Sequence, residues 1–423
     1  MPPPKTLKFR SLATRQDRNE ASDVAAATKP TFSLCTYNVL IQEFVSPQRY
    51  PTVVDHERVF DRHRRRRMIQ RDLQQMRPVT DIFCLEEVCP ESYQDFLEAL
   101  NDNKNHDSND NKKVHFEGHL MRRQRNRPLH NAMFYNTSKF HLEGHYDINL
   151  HDKGLSHLSL PHDNSEWIKN FQALKFHTIC NHFTFRPSPQ HHLLVMMAHL
   201  HHNPLEDVIK YAEMSGLLQE LNVIYQQICI NHMAHQPLST NKDHDSNGDN
   251  NRPVVYVVFA GDFNAQPTNQ VYRLIMGEPP TLQSLQEETM VRPEWLQRRQ
   301  QEWFPLYQQI YQQTYNNTSG SASVVSSLLE PNDGGNFASV YSAYNDDNHN
   351  SEDDRGGEKG HPRYTNLTHD FANTIDYIFY DTRRLLPLRL LELDTETYEK
   401  EDFLPSSLHA SDHVILWTEF QCL

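Results

Sequence analysis

Apolar runs of strand length recur along this chain, and most of them meet an Asn, Asp, Glu or His at one end. Phe32-Ser-Leu-Cys-Thr-Tyr is followed by Asn38, and Asp81-Ile-Phe-Cys-Leu runs into Glu86 and Glu87. Leu193-Leu-Val-Met-Met-Ala leads to His199, and Val254-Val-Tyr-Val-Val-Phe-Ala-Gly ends in Asp262-Phe-Asn264. Ile375 precedes Asp376, and Ala410-Ser411 is followed by Asp412-His413 at the mouth of the last run. Each of these has a plainer reading on its own: an Asx turn, a satisfied core histidine, the first residue of a strand. Together they constrain the fold, because strands that share packed sheets can bring such ends to one rim, where ligands bind in layered α/β proteins.

The runs at 31–39, 81–85, 132–135, 193–200, 254–260, 374–380 and 414–420 are rich in apolar and β-branched residues, as buried strands are. Helix-period segments lie between them. The clearest begins after Pro204 and sets Val208, Ile209, Ala212, Gly216, Leu217, Leu221, Ile224 and Ile228 near one face; others are expected over 56–76 and 91–100. Strands alternating with helices along the whole chain predict a layered α/β protein.

The 423-residue length would allow two or three domains. The apolar fraction of 37% is below the ~45–50% of ordinary globular chains, and counting Gly in place of Tyr lowers it further. The deficit is concentrated in polar tracts at 101–113, 236–252, 316–323 and 332–361, which predict disordered insertions within one catalytic domain at 31–423, preceded by a solvated tail at 1–30. No run of ~18 apolar residues is present to form a membrane-spanning helix. Six cysteines without a CxxC pair fit a reducing compartment, so the cytoplasm or nucleus is expected, with a mitochondrial address only faintly signalled near the N-terminus. The net charge of −14, from 41 basic and 55 acidic side chains, has the wrong sign for gripping nucleic acid by bulk electrostatics. A polyanion must therefore be met locally or through a cation.

Carboxylates and Asn carbonyls gathered at one rim suit Mg²⁺, with Mn²⁺ as a substitute; no HExxH or CxxC pattern indicates zinc. Such a site with two histidines is fitted for phosphate-ester hydrolysis, the cation neutralising the phosphate, an Asp positioning water and a His stabilising developing charge.

Thr36-Tyr37-Asn38-Val39-Leu40, Cys84-Leu85-Glu86-Glu87-Val88, Ala198-His199-Leu200-His201-His202-Asn203-Pro204, Gly261-Asp262-Phe263-Asn264-Ala265-Gln266-Pro267, Thr374-Ile375-Asp376-Tyr377-Ile378-Phe379-Tyr380 and Ser411-Asp412-His413 resemble the ordered motifs of the endonuclease/exonuclease/phosphatase superfamily. The nearest likeness is to its branch of carbon-catabolite-repression deadenylases, nocturnin, Angel and Ngl-type RNA exonucleases. The resemblance implies a DNase I-like four-layer α/β sandwich, two packed mixed β-sheets flanked by helices, with a Mg²⁺ site at one edge. It implies Glu87 as principal metal ligand, supported by Asn38 and Asp412. Asp262 would orient or deprotonate water, Asn264 and His199 would bind phosphoryl oxygens, and His413, held by Asp376, would act on the transition state or leaving oxygen. Pro204, Asn366 and Phe371 would contact the nucleotide.

Two departures bear on substrate. Relatives carry Gln where this chain has Glu86, so an extra carboxylate lies beside the site or points into the core. Their Asp-Gly-Cys-Ala stretch is replaced by Leu129-His130-Asn131-Ala132, which bears on poly(A) preference. No leucine-rich repeats precede the first strand, so no tether to a deadenylase complex is expected. The predicted activity is Mg²⁺-dependent 3′ exonucleolysis of single-stranded RNA; the alternatives are a phosphatase of the same fold, acting on a nucleotide cofactor or a terminal RNA phosphate, and an inactive RNA-binding scaffold. The basic run Arg62-His63-Arg64-Arg65-Arg66-Arg67 reads either as an RNA or nuclear-import contact or as a solvated helical face.

Overall fold

The computed structural model describes residues 7–12, 29–102, 114–121, 129–149, 177–234, 253–289, 294–316, 328, 336–344, 360–393, 398 and 403–423. In chain order the strands are β1 (Phe9–Ser11), β2 (Thr31–Asn38), β3 (Ile82–Val88), β4 (Phe116–Leu120) and β5 (His130–Asn136), then β6 (Phe140–Asn149), β7 (His177–Phe185), β8 (Ser188–His199), β9 (Val254–Asp262) and β10 (Phe337–Ser339). A short hairpin, β11 (Asn366–Leu367) and β12 (Ala372–Asn373), precedes β13 (Asp376–Asp381), β14 (Leu385–Leu391) and β15 (Leu416–Cys422). Two mixed sheets result, a seven-stranded one ordered β1-β14-β15-β2-β3-β5-β4 and a six-stranded one ordered β10-β13-β9-β8-β7-β6.

The sheets pack face to face, each with helices on its outer side, which is the four-layer, DNase I-like sandwich. Alternation along β9 shows how the sequence specifies this. Tyr256, Val258 and Ala260 enter the core between the sheets with Phe32, Leu34, Ile179 and Val195. Val255, Val257 and Phe259 face outward onto α4 (Asp207–Ala234) and α5 (Glu294–Asn316). Both faces of such a strand are buried, so it reads as a continuous apolar run. On the other side, α2 (Arg62–Met76) and α3 (Pro90–Asn101) lay Met68, Ile69, Leu73, Phe96 and Leu100 against Cys35, Phe83 and Leu85.

The segment expected as one helix over 56–76 is two: α1 (His56–Val59) stops before Asp61, whose carboxylate accepts from the Arg64 N–H and caps α2. Two other expectations are corrected. Within the tail expected to be solvated, Phe9–Ser11 pairs antiparallel with β14, and Phe9 packs 4.6 Å from the Trp417 ring. Inside the 332–361 tract, Phe337, Val340, Tyr341 and Tyr344 are buried, and the Tyr341 hydroxyl donates to the Leu391 and Trp417 carbonyls. Residues 332–335 and 345–359 of that tract and most of the other three lie outside the described residues. Trp303 sits in the helix-side core.

Candidate active site

Strand register brings the polar residues together. In one sheet β2 and β3 run parallel with Asn38 opposite Glu86, and in the other β8 and β9 run parallel with His199 opposite Asp262. β13 enters antiparallel with Asp376 also opposite Asp262, and His413 bridges to Asn366 just before β15. C-terminal ends from both sheets thus share a rim with the starts of β13 and β15. A cavity of 540 Å³ opens there, lined by Glu87, His199, Pro204, Asp262, Asn264, Asn366, Phe371, Asp412 and His413 among others. Of the residues expected at the site, Asn38 and Asp376 stand behind this lining rather than in it.

One side of the site is a hydrogen-bonded relay. Both Asp376 carboxylate oxygens lie within hydrogen-bond distance of His413 Nδ1, at 2.9 and 3.0 Å, and Thr365 Oγ1 donates to Oδ2 at 2.6 Å. This fixes the ring so that Nε2 faces Asp262 Oδ2 at 3.7 Å. Burial opposes a charge on His413, but Asp376, Asp412 and Asp262 outweigh it and hold the imidazolium well above the usual histidine range. Burial pushes Asp262 up, to about 7, against the pull of His413. Asp262 also accepts from the Asn264 N–H at 2.8 Å and from Asn38 Nδ2 at 3.2 Å.

The other side carries Glu87 and Asp412. Glu87 sits at a bulge in β3 with φ 61°, a strained conformation that turns its side chain towards the cavity. Its carboxylate accepts from the Ile41 N–H at 2.9 Å and Asn38 Nδ2 at 3.3 Å, with His199 Nε2 4.0 Å away. Asp412 Oδ2 accepts from the Tyr50 hydroxyl at 2.9 Å, whereas buried Oδ1 has no hydrogen-bond partner among the described residues. An orphaned carboxylate oxygen beside a second carboxylate is what a hard divalent cation would satisfy. Asp262, Asp376 and His413 also lie close enough to hold an ion, but the hydrogen bonds of Asp376 to His413 and Thr365 already commit those atoms. The donor set at Glu87 and Asp412 fits a cation better.

Asn38 differs from expectation. Its carbonyl oxygen accepts from the Leu40 N–H at 3.0 Å, and its NH₂ faces Glu87 and Asp262. In this orientation it bridges the two carboxylates and does not offer an oxygen to a metal. Glu86 lies in the core rather than the cavity: it is fully buried, accepts from Thr36 Oγ1 at 3.2 Å, and is pushed well above the carboxylate range by burial, then by Asp376 and Asp262. Room for it exists only because residue 261 is Gly (φ 142°); a Cβ there would meet the Ala198 carbonyl and Glu86 Oε1. Of the Leu129-His130-Asn131-Ala132 stretch, Leu129 lines the cavity while the others are buried.

Several supporting residues carry no sequence signal. Lys210, 2% exposed, pairs with Asp207 at 2.8 Å and donates to the Asn264 carbonyl at 2.7 Å, bracing that residue at φ 49°. Asn264 Nδ2 donates to the Leu200 carbonyl at 3.0 Å, leaving its second amide proton for a ligand. Tyr50, Thr365, and Ser411, whose hydroxyl donates to the Asn38 carbonyl at 2.7 Å, complete the frame. Phe44 and Arg49 form one wall of the mouth, the guanidinium 5.0 Å over the ring.

A profile of the endonuclease/exonuclease/phosphatase family matches residues 35–413, so the chain belongs to that family. Its members hydrolyse phosphodiester or phosphate-ester bonds and typically depend on a divalent metal. The chain is 22% identical over 399 residues to the CCR4-Not complex 3′-5′-exoribonuclease subunit Ccr4 of Kluyveromyces lactis, matching 93% of this chain and 41% of that protein. It is 48% identical over 63 residues to carbon catabolite repressor protein 4 homolog 1 of Arabidopsis thaliana, 15% of this chain and 10% of that one. The chain thus spans less than half the length of these curated relatives. Among solved structures, ANGEL2, a 2′,3′-cyclic phosphatase, aligns with a TM-score of 0.60 at 21% identity over 98% of this chain and 97% of that one. The human Nocturnin catalytic domain aligns with a TM-score of 0.51 at 17% identity over 99% and 98%. At these identities the likeness is one of fold.

Proposed function

We propose that this chain is a Mg²⁺-dependent 3′ exoribonuclease acting on single-stranded RNA. The observation that carries this reading is Asp262, set between His413 Nε2 at 3.7 Å and Asn38 Nδ2 at 3.2 Å on the wall of a cavity that also exposes Glu87 and Asp412. Asp262, raised to about 7, orients and deprotonates water near neutral pH, where a general base works best. His413, kept protonated by Asp376, donates to the leaving oxygen. Asn264 and His199 hold the phosphoryl oxygens. Glu87 and Asp412 hold the cation, with Asn38 orienting Glu87. A bound divalent ion supplies charge neutralisation at the phosphate.

The RNA part of the reading rests on the mouth. Phe371, 36% exposed, and Pro204 offer apolar faces on which an unpaired base can stack, and Asn366 lines the cavity beside His413. The relative named as a 3′-5′-exoribonuclease subunit supports the same class. ANGEL2's activity favours a second reading, removal of a terminal or cyclic phosphate, since the same relay can attack either ester.

The test offers purified protein labelled poly(A), mixed-sequence RNA, matching DNA, RNA ending in a cyclic phosphate, and NADPH, each with Mg²⁺ or EDTA. Stepwise shortening of RNA that requires Mg²⁺ is expected. Phosphate release or ring opening without shortening sinks the exonuclease reading in favour of the second, and no turnover of any substrate leaves the scaffold.

A further inference from the structure

The basic run on α2 is not simply a solvated face. Arg62 and Arg67 are exposed, but Arg65 is 3% exposed and points beneath the site. Its Nε donates to the Ala410 carbonyl at 2.9 Å and its Nη1 to Gln42 Oε1 at 2.8 Å. Its Nη2 donates to the Val39 and Leu40 carbonyls at 3.2 and 2.6 Å. One guanidinium therefore joins three pieces of chain: α2, the turn after β2, and the loop that enters β15.

Those last two pieces frame the cation-holding side. Leu40 occupies φ 53°, a strained conformation for a residue with a Cβ, and accepts one of the Arg65 bonds. The following N–H, on Ile41, donates to Glu87 Oε2 at 2.9 Å. On the other piece Ala410 lies two residues before Asp412, and Ser411 ties back to the Asn38 carbonyl at 2.7 Å. We infer that Arg65 is a positioning residue that sets the spacing between Glu87 and Asp412 by locking the 39–42 turn to the 410–412 loop. This rests on the reading that these two carboxylates hold the cation. Arginine is suited to the task, because a rigid planar fork can serve four acceptors at once and a lysine cannot.

Charge gives the idea a sign that can be tested. Asp412 and Glu87 both interact electrostatically with Arg65. If Arg65 served only as their counter-charge, removing it would strengthen cation binding; if it positions them, removal weakens binding. Mn²⁺ affinity is measured by calorimetry on the full chain, without substrate, for the parent, Arg65→Lys, Arg65→Met and Glu87→Ala. Hydrogen exchange of the Asn38–Phe44 peptide is followed without metal. Expected are Mn²⁺ binding at least tenfold weaker in Arg65→Met, an intermediate loss in Arg65→Lys, and faster exchange in both. A folded Arg65→Met that binds Mn²⁺ as tightly as the parent, or more tightly, overturns the inference while the cation site stands. Should Arg65→Met not fold, Arg65→Lys decides: parental affinity and parental exchange overturn it. Undiminished binding in Glu87→Ala overturns the cation assignment, and the inference with it.

Discussion

The two sides of the cavity solve opposite problems. On the His413 side, polar atoms are committed within the protein: Asp376 holds His413 and Thr365, and Asp262 holds Asn264 and Asn38. On the Glu87 side, Asp412 Oδ1 is left without a hydrogen-bond partner among the described residues. A satisfied network is rigid and pre-aimed, while a buried carboxylate oxygen left without a donor is one that a cation can complete. On the proposed reading, the difference separates proton handling from charge neutralisation, although Asn38 touches both.

The largest effects should come from removing either side outright. Asp262→Ala and Glu87→Ala are each expected to lower turnover at least ~10³-fold, about 4 kcal/mol, with the fold intact by circular dichroism. Activity within about tenfold of the parent rejects the assignment. Only Glu87→Ala should also abolish Mn²⁺ binding, and loss of binding in both variants would erase the distinction between the sides. Next in size is Asp376→Asn, which takes the charge from behind His413. Turnover should fall about 10²-fold while Mn²⁺ affinity stays parental. An equal loss of metal affinity would mean that the relay supports the cation too. Tyr50→Phe strips one hydrogen bond from Asp412, worth ~1 kcal/mol. The Mg²⁺ concentration at half-maximal rate should rise about fivefold, with the rate at saturating Mg²⁺ nearly unchanged; a fall in the saturated rate instead would place Tyr50 with the relay. Smallest is Glu86→Gln. Burial pushes the Glu86 carboxyl towards its neutral form, which an amide resembles, so turnover and melting temperature should stay within error. A tenfold loss would show that Glu86 acts as an anion.

All seven apolar runs became strands because each contributes side chains to two cores at once, which leaves an unbroken apolar signature. The strands that escaped notice fail that pattern for identifiable reasons. β7 carries buried Thr178, Asn181, His182 and Thr184 among its apolar residues, β14 contains Pro387 at a register shift, and β1 is held by a neighbour more than 370 residues away in sequence. In the 332–361 tract the acids mask Phe337, Val340 and Tyr341. Site residues were legible where a strand ended. Lys210 and Arg65 were not, because a buried cation inside a helix has no local signature; what marks it is the set of carbonyls it meets after folding.

The placement of β15 gives the molecule an order in time. It follows every other described strand in chain order yet sits between β14 and β2 in its sheet, and Asp412 and His413 lie just before it. While the chain emerges from the ribosome, β2, β3, β8, β9 and β13 can all be made before the residues that complete the site. The cavity rim is therefore completed only when β15 slots between strands that were made long before it.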